Sequence, residues 1–389
     1  MGKIGILTYF NYINYGSMLQ GFATQKAFLK HLKDSSDCTL INYRYQSPVN
    51  MSKISMLRLR LKRFFHYIKS IQEIYIKSKY SSKINLKSKK FEEFRLNYTQ
   101  VTDFFYRNKK QLEQNPPIFD VYVTGSDQTW SPRVSGGYNE TPMFLNFAIP
   151  GSKKGAYAPS LGTPIITDND RNILKTELKG FEILSCRENS GAEILREITG
   201  KDVKKVLDPT LLLTDSEWRN ISIAPSIKKG KYILCYFLGD RLYYRKFANK
   251  LSLELNLPIY YIPVSWRDCK KKNNLLFDVG PREFIGLIDN AKVVLTDSFH
   301  GTAFSSNLNT PFYSFVKHSG GKKSADNSRL FDFLSSINLE NRMIESYDDD
   351  SGIQFEEINF TPVNDILEKQ RSLSFEVIKS IVDLAESNV

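Results

Sequence analysis

One histidine in a glycine-bearing loop is well suited to acid-base chemistry. His300 lies in the segment TDSFHGT, residues 296–302, between a short apolar run and a helical pattern. Asp297 or Ser298 can cap that helix, which places His300 in its first turn beside exposed backbone amides. Such amides favour an anion, and a nearby imidazole can take a proton from a hydroxyl. The alternative is a purely structural histidine, but the chain has only four.

A second loop of the same kind lies nearer the N-terminus. In the segment TGSDQTW, residues 124–130, Gly125 permits close approach of the backbone, and Ser126 and Asp127 follow it with a hydroxyl and a carboxylate. This pattern predicts a ligand-binding loop. An Asx turn that only caps the next segment is the alternative.

The loop of Asn14, Tyr15, Gly16 and Ser17 precedes a predicted helix. The start of that helix could hold a phosphate or a sugar. Ser17 and Gln20 have the spacing of a capping box, which predicts that the helix begins at Ser17. Capping alone would also explain this serine.

An arginine at a predicted strand end is a candidate anion ligand. Arg187 follows an apolar run, and a guanidinium binds carboxylate or phosphate through two parallel hydrogen bonds. An ion pair with Glu188 or Glu182 explains this arginine equally well.

Further polar residues surround a glycine-bearing loop in the second half of the chain. Lys317 precedes Gly320 and Gly321, and Asn327 and Arg329 follow them. The loop could close over an anionic ligand, and a solvated turn is the alternative. The sequence contains neither a P-loop nor a GxGxxG motif, the two common nucleotide-binding motifs.

Short apolar runs alternate with amphipathic helical patterns along the chain. Predicted strands span residues 3–9, 38–43, 119–124, 154–158, 183–187, 203–207, 232–238, 258–264, 292–296 and 310–315. Such alternation predicts parallel sheets with helices on both faces, hence an α/β fold of two Rossmann-like domains. Ligands bind beyond the carboxyl ends of parallel strands, where the polar loops described above lie.

The length of 389 residues suits two domains. The predicted N-terminal domain spans residues 1–213 and carries a basic helical insertion at about 52–95. A linker, 214–230, leads to a C-terminal domain, 231–345, and a C-terminal extension, 346–389, that ends in a helix.

Most of the net charge of +12 lies in one segment. Between Lys53 and Lys90 there are twelve basic residues and a single acid, Glu73. Apolar residues three and four apart predict an amphipathic helix with a basic flank, which suits an anionic membrane surface. A helical hairpin packed on the N-terminal domain is the alternative. Nucleic acid is not an expected partner, because no DNA- or RNA-binding motif accompanies the charge.

The remaining composition indicates a cytoplasmic protein. The first nine residues predict a strand rather than a secretion signal, and no apolar run is long enough to span a bilayer. Peripheral attachment at the inner face of the membrane is compatible with this. The four separated cysteines are expected to be reduced, and neither a metal site nor a cofactor is expected.

Five motifs occur together in a characteristic order. They are residues 14–20 (NYGSMLQ), 124–130 (TGSDQTW), 206–213 (VLDPTLLL), 296–302 (TDSFHGT) and 327–329 (NSR). In this combination the chain resembles the polysaccharide pyruvyl transferases from about residue 3 to about residue 340. The resemblance implies a GT-B-like fold with its active site between two Rossmann-like domains. It also implies phosphoenolpyruvate as donor and a ketal on two sugar hydroxyls as product.

The resemblance also implies roles for individual residues. His300 matches the family's catalytic histidine and Arg187 its donor-binding arginine, and Asp127, which would line the cleft, is expected to be the third catalytic residue. Residues expected to bind substrate are Asn14, Tyr15, Ser17, Ser126, Ser298, Lys317, Asn327 and Arg329. The acceptor, a sugar or a lipid-linked oligosaccharide, has no assigned residues. The alternatives are a glycosyltransferase that uses a sugar nucleotide and a non-catalytic, membrane-associated subunit of a glycan assembly complex.

Overall fold

Two parallel β-sheets, one in each half of the chain, organise the protein. The structure is a computed structural model. It describes residues 2–33, 36–44, 75–76, 78–133, 137–138, 141–264, 268, 274–317, 325–348 and 352–387.

The first sheet has the strand order β2-β1-β3-β4, all parallel. Its strands are β1 (Lys3–Leu7), β2 (Asp37–Leu40), β3 (Val121–Thr124) and β4 (Lys153–Ala156). β3 is buried along its whole length, as expected of a parallel strand covered on both faces. A two-stranded parallel sheet, β5 (Leu184–Cys186) and β6 (Val203–Lys205), continues from β4 through an isolated bridge.

The second sheet has the described strand order β12-β11-β10-β7-β8-β9, again parallel. Its strands are β7 (Ile233–Tyr236), β8 (Ile259–Tyr261), β9 (Asn274–Leu275), β10 (Val293–Thr296), β11 (Phe312–Phe315) and β12 (Met343–Ile344). The predicted α/β class with parallel sheets is therefore confirmed.

Helices connect and cover the strands. They are α1 (Tyr15–Leu29), α2 (Ser81–Tyr98), α3 (Lys109–Gln114), α4 (Asp168–Glu177), α5 (Asn189–Thr199), α6 (Asp215–Ile221), α7 (Leu242–Leu255), α8 (Pro281–Asn290), α9 (Phe299–Asn307), α10 (Ala325–Ser336) and α11 (Thr361–Glu386), with 3₁₀ turns at Pro209–Leu211 and Glu340–Arg342. The segment predicted as a linker contains α6, which begins at a capping box on Thr214.

The start of α1 differs from the prediction. The helix begins at Tyr15 with Asn14 as its N-cap, whose side chain accepts a hydrogen bond from the Ser17 amide. The predicted capping box is wrong, because Gln20 donates instead to Thr8 Oγ1 and to the Tyr9 carbonyl. The Gln20 side chain thereby fixes the loop after β1 against the helix.

The C-terminal helix α11 covers the first sheet. Ile381 packs so closely on Gly155 of β4 that a Cβ at this glycine would lie 3.2 Å from it. Ser374 of α11 accepts a hydrogen bond from the amide of Leu207 at 3.0 Å. The end of the chain thus contributes to the core of the N-terminal half.

The described part of the basic insertion lies between the two halves. Helix α2 buries Phe91 and Phe94, and Lys90 Nζ forms an ion pair with Glu283 of α8 at 2.7 Å. The prediction of an amphipathic basic helix falls largely on residues 53–74, which lie outside the described part of the chain.

Candidate active site

A buried carboxylate joins the predicted histidine and arginine. Asp208, 1% exposed, follows β6 and caps the 3₁₀ turn Pro209–Leu211. Its Oδ2 accepts hydrogen bonds from Arg187 Nη1 at 2.8 Å and from Ser126 Oγ at 3.2 Å. His300 Nε2 lies 3.7 Å from the same oxygen, within reach of an ion pair but too far for a hydrogen bond.

The environment of Asp208 favours its ionised form. Burial alone raises the pKa of a carboxyl, but the opposing interactions are stronger here. His300, Arg187 and the Thr210 hydroxyl together hold the pKa of Asp208 well below its usual range. Oδ1 also accepts from the amide of Thr210 at 3.0 Å. Asp208 is therefore a fixed negative charge between the two predicted catalytic groups.

Arg187 is buried but not fully paired. Its side chain is held by Glu188, whose Oε1 accepts from Nε at 3.1 Å, and by Asp208. The guanidinium lies over the ring of Phe299 at 4.5 Å. Arg187 is only 5% exposed, yet its Nη2 has no hydrogen-bond partner among the described residues. An uncompensated buried N–H group costs about 1–3 kcal/mol, so this nitrogen is available for a ligand oxygen.

The imidazole of His300 lies in the first turn of α9, as predicted. Ser298 is the N-cap and accepts from the Gly301 amide at 3.4 Å. On its other side the ring meets the start of α1, where a Cβ on Gly16 would lie 2.1 Å from Nδ1. His300 is 9% exposed, and its Nε2 has no hydrogen-bond partner among the described residues. Packing therefore fixes the ring, while one nitrogen stays available for a proton.

The loop after β3 connects to the same cluster. Asp127 has a φ of 74°, a left-handed conformation that aspartate tolerates better than most residues. Its Oδ2 accepts from Ser17 Oγ at 3.1 Å, and Oδ1 accepts from the amide of Gln128 at 2.9 Å. The predicted residues Ser17, Ser126 and Asp127 are therefore brought together, through bonds to each other or to Asp208.

Arg329 crosses from the second half to the first. The amide oxygen of Gln128, in the orientation that satisfies both side chains, accepts from Arg329 Nη1 and Nη2 at 2.9 and 2.5 Å. Near the start of α10, Asn327 is buried, and its Oδ1 accepts from the backbone amide of Lys317 at 2.9 Å. Asn327 therefore fixes the chain after β11.

A pocket opens between the halves beside Arg187. It is named here the interface pocket, and residues of both halves line it. They are Arg187, Glu188, Asn189, Lys205, Val206, Leu207, Asp208, Leu211, Phe299, Arg329, Asp332, Phe333 and Ser336. The pocket therefore combines charged groups from both halves of the chain.

Tyr15 corrects the sequence prediction. It was expected to contact substrate, but it is 2% exposed and stacks on Phe284 with 4.3 Å between ring centroids. Its hydroxyl already donates to the carbonyl of Val279 at 2.9 Å. Tyr15 is a packing residue between the halves. Asn14 is exposed and has a capping role.

The ion pair of Arg187 with Glu188, offered above as the alternative explanation of this arginine, is present in the structure. The sequence prediction assigned no role to Asp208, Gln128 or Asp332. Asp208 belongs to the motif at residues 206–213 and directly follows a predicted strand. A carboxylate at a strand end followed by proline was the available signal. Which cations it meets depends on tertiary contacts.

The described part of the chain contains no group of three or more histidine, cysteine or acidic residues able to hold a metal ion. None of its helices is both long and apolar enough to cross a membrane. Cys38, Cys186 and Cys235 are buried and unpaired.

Comparison with known proteins places these residues in a family context. Residues 14–319 match the family model described as polysaccharide pyruvyl transferase. The sequence matches none of the curated proteins with which it was compared.

Solved structures similar to the chain include two sugar-handling enzymes. A UDP-N-acetylglucosamine 2-epimerase from Rickettsia bellii has 12% identity and a TM-score of 0.47, with 98% of this chain and 97% of that chain covered. The E. coli heptosyltransferase WaaC with ADP has 9% identity and a TM-score of 0.37, with 80% and 88% covered.

Proposed function

The chain belongs to the polysaccharide pyruvyl transferase family and is a transferase, and on that premise we propose that it moves pyruvate from phosphoenolpyruvate onto two hydroxyls of a sugar. One observation supports this most. His300 and Arg187, from different halves of the chain, both lie against Asp208, and among the described residues His300 Nε2 and Arg187 Nη2 are buried without a hydrogen-bond partner.

The interface pocket suits an anionic donor of three carbons. Phosphoenolpyruvate carries a carboxylate and a phosphate, and guanidinium groups bind both. Arg187 offers its Nη2, which has no hydrogen-bond partner among the residues described, and Arg329 lines the same pocket. Arg187 is the donor anchor in this proposal, since Glu188 and Asp208 hold its guanidinium in one orientation.

The reaction forms a cyclic ketal and inorganic phosphate. The methylene carbon of the donor gains a proton, and a first sugar hydroxyl bonds to the neighbouring carbon and loses its proton. The bond from that carbon to the phosphate oxygen breaks. A second hydroxyl then bonds to the same carbon and loses its proton. One proton ends on the new methyl group and the other on phosphate, so the step balances without a co-reactant.

His300 serves as general acid and base for these transfers. Its Nε2 faces the fixed charge of Asp208, which stabilises the imidazolium when it forms. General acid or base catalysis contributes about 10²–10⁴-fold in rate. Asp127 accepts a hydrogen bond from Ser17, the residue after the Gly16 that packs against the imidazole, and so is linked to the histidine through the start of α1.

The acceptor belongs to a polysaccharide or its precursor. The basic segment between Lys53 and Lys90 suits an anionic membrane, which would bring the cytoplasmic enzyme to lipid-linked acceptors. Sedimentation with phosphatidylserine vesicles tests this part separately. Loss of vesicle binding when the lysines and arginines of residues 53–63 become glutamine would support it, and equal binding would refute it.

The decisive experiment incubates the protein with phosphoenolpyruvate and a panel of sugar acceptors. Released phosphate and the mass of the product are measured together, and the product should gain the mass of a pyruvyl ketal. The His300→Ala variant should remain folded, and its turnover should be about 10²–10⁴-fold lower than that of wild type. His31→Ala is the matched control, because His31 lies just beyond the other end of α1 against Phe375. Equal turnover of the two variants would overturn the role of His300.

A further inference from the structure

A carboxylate outside the cluster of His300, Asp208 and Arg187 faces the interface pocket. Asp332, half-buried on α10, lines the pocket together with Arg187 and Arg329. Its Oδ2 accepts a hydrogen bond from Ser190 Oγ at 3.3 Å. Among the described residues no cation lies within ion-pair distance of it. Asp332 has no role in the proposed pyruvyl transfer.

The charges around Asp332 oppose its ionisation. Burial raises its pKa, and Glu188 and Glu193 raise it further, while Lys205 of β6 lowers it. Lys205 Nζ is shared with Gln370 of α11, to which it donates at 2.8 Å. Arg187 is already engaged by Glu188 and Asp208, and Arg329 faces Gln128. In the described part of the chain, Lys205 therefore acts on Asp332 only from a distance, and no cation forms an ion pair with it.

The pocket as a whole is close to neutral when every group is ionised. Its walls carry three cations, Arg187, Lys205 and Arg329, and three carboxylates, Glu188, Asp208 and Asp332. A donor with a carboxylate and a phosphate adds two or more negative charges to this balance. Added anions raise the pKa of a nearby carboxyl, so one wall carboxyl should take up a proton. Asp208 is not that group, because its cations keep it ionised.

We infer that Asp332 binds the donor in its protonated form, donating a hydrogen bond from its carboxyl to an anionic oxygen of phosphoenolpyruvate in the interface pocket. This inference rests on the proposed function and assigns a further donor-binding residue. It also explains why this carboxyl lines a pocket for anions although no cation among the described residues forms an ion pair with it. Donor binding then takes up a proton, and affinity falls as pH rises.

Calorimetry can count that proton. Binding of phosphoenolpyruvate is measured near neutral pH in two buffers with different ionisation enthalpies, for the full chain and three variants. The donor's phosphate also titrates, at about pH 6. The proton uptake of Asp332 is therefore obtained from the difference in proton count between wild type and the variants. Asp332→Asn keeps an N–H donor without a titrating proton, and Asp332→Ala removes the donor. Asp383→Asn on the exposed face of α11 is the control.

Wild type and Asp383→Asn should take up more protons than Asp332→Asn. Asp332→Asn should bind the donor at least as tightly as wild type and lose part of the pH dependence, whereas Asp332→Ala should bind about tenfold more weakly. Equal proton counts for wild type and Asp332→Asn would overturn the inference and leave the proposed function intact. Failure of wild type to bind phosphoenolpyruvate would overturn both.

Discussion

Asp208 shows how one side chain can set the chemistry of its neighbours. Its carboxylate contacts a serine, an arginine and a threonine and lies 3.7 Å from His300. A buried charge is tolerated only when it is paired and hydrogen-bonded, and removal of a partner leaves the rest uncompensated. Substitution of His300, Asp208 or Arg187 should therefore lower both activity and stability.

Asp208→Asn should destabilise the protein and change its response to acid. The folded pKa of Asp208 lies below the unfolded value of about 3.9, so its stabilisation is present above that pH and is lost as the pH falls. Denaturant unfolding near neutral pH should show a loss of about 3–5 kcal/mol. The variant should also lose less stability than wild type upon acidification, and parallel pH profiles would contradict this account.

Gly16→Ala tests how α1 seats the imidazole. The new Cβ would lie 2.1 Å from His300 Nδ1, so the ring must move while the fold persists. Turnover should fall by about 10²-fold, because a catalytic group displaced by about 1 Å loses about that much in rate. Gly180→Ala is the control, since nothing lies within 4 Å of its added Cβ. If both variants turn over substrate at the wild-type rate, contact with Gly16 does not position His300.

At the scale of elements, the loop after β7 presents backbone amides that already have a partner within the protein. After β7, the amides of Leu238 and Gly239 donate to Asp297 at 2.6 and 2.7 Å. Asp297 follows β10, the neighbouring strand, and burial raises its pKa. Backbone amides at such a strand end commonly bind phosphate. Here a side chain of the protein already occupies them.

This arrangement predicts ligand selectivity. Phosphoenolpyruvate should raise the melting temperature, whereas UDP-N-acetylglucosamine should not, because Asp297 holds the amides that a diphosphate would need. A ligand at a hundred times its Kd stabilises by about 2.7 kcal/mol, which thermal shift detects readily. Stabilisation by the sugar nucleotide alone would favour the glycosyltransferase alternative.

At the scale of the molecule, aromatic and polar contacts hold the halves together. Tyr15 of α1 stacks on Phe284 of α8 and meets Tyr236 of β7 edge-on at 5.7 Å. From α11, Arg371 donates to the carbonyl of Leu211 and to Asn307 Oδ1, both at 2.7 Å. These contacts fix the 3₁₀ turn after Asp208 relative to α9, which carries His300.

Tyr15→Ala should weaken the junction of the halves. Loss of a large buried ring costs about 3–5 kcal/mol, which chemical denaturation should register. Tyr15→Phe keeps the stacking and loses only the hydrogen bond to Val279, a cost of about 0.5–1.5 kcal/mol. A Tyr15→Ala protein as stable as Tyr15→Phe would show that the stack does not hold the halves together.

The sequence determined which elements form and which loops share an edge. Apolar periodicity gives the strands, and parallel strands bring their carboxyl ends together, so the loops with His300, Arg187 and Asp127 could be chosen from sequence. The order of five motifs identified the family, which the match over residues 14–319 confirms. Ser298 was one of the two predicted caps of its helix, and the structure confirms it. The start of α1 was less accurate, because capping at Asn14 depends on local geometry.

Only the tertiary structure decided how these loops meet. Tyr15 and Val279 are 264 positions apart, and Ser126 and Asp208 are 82 apart. No local pattern encodes such pairings, because they follow from how two sheets and their helices pack. Packing placed Tyr15 in the core and brought Arg187 and His300 to the same carboxylate, Asp208. Within the described part of the chain it also left Arg187 Nη2 and His300 Nε2 without a hydrogen-bond partner.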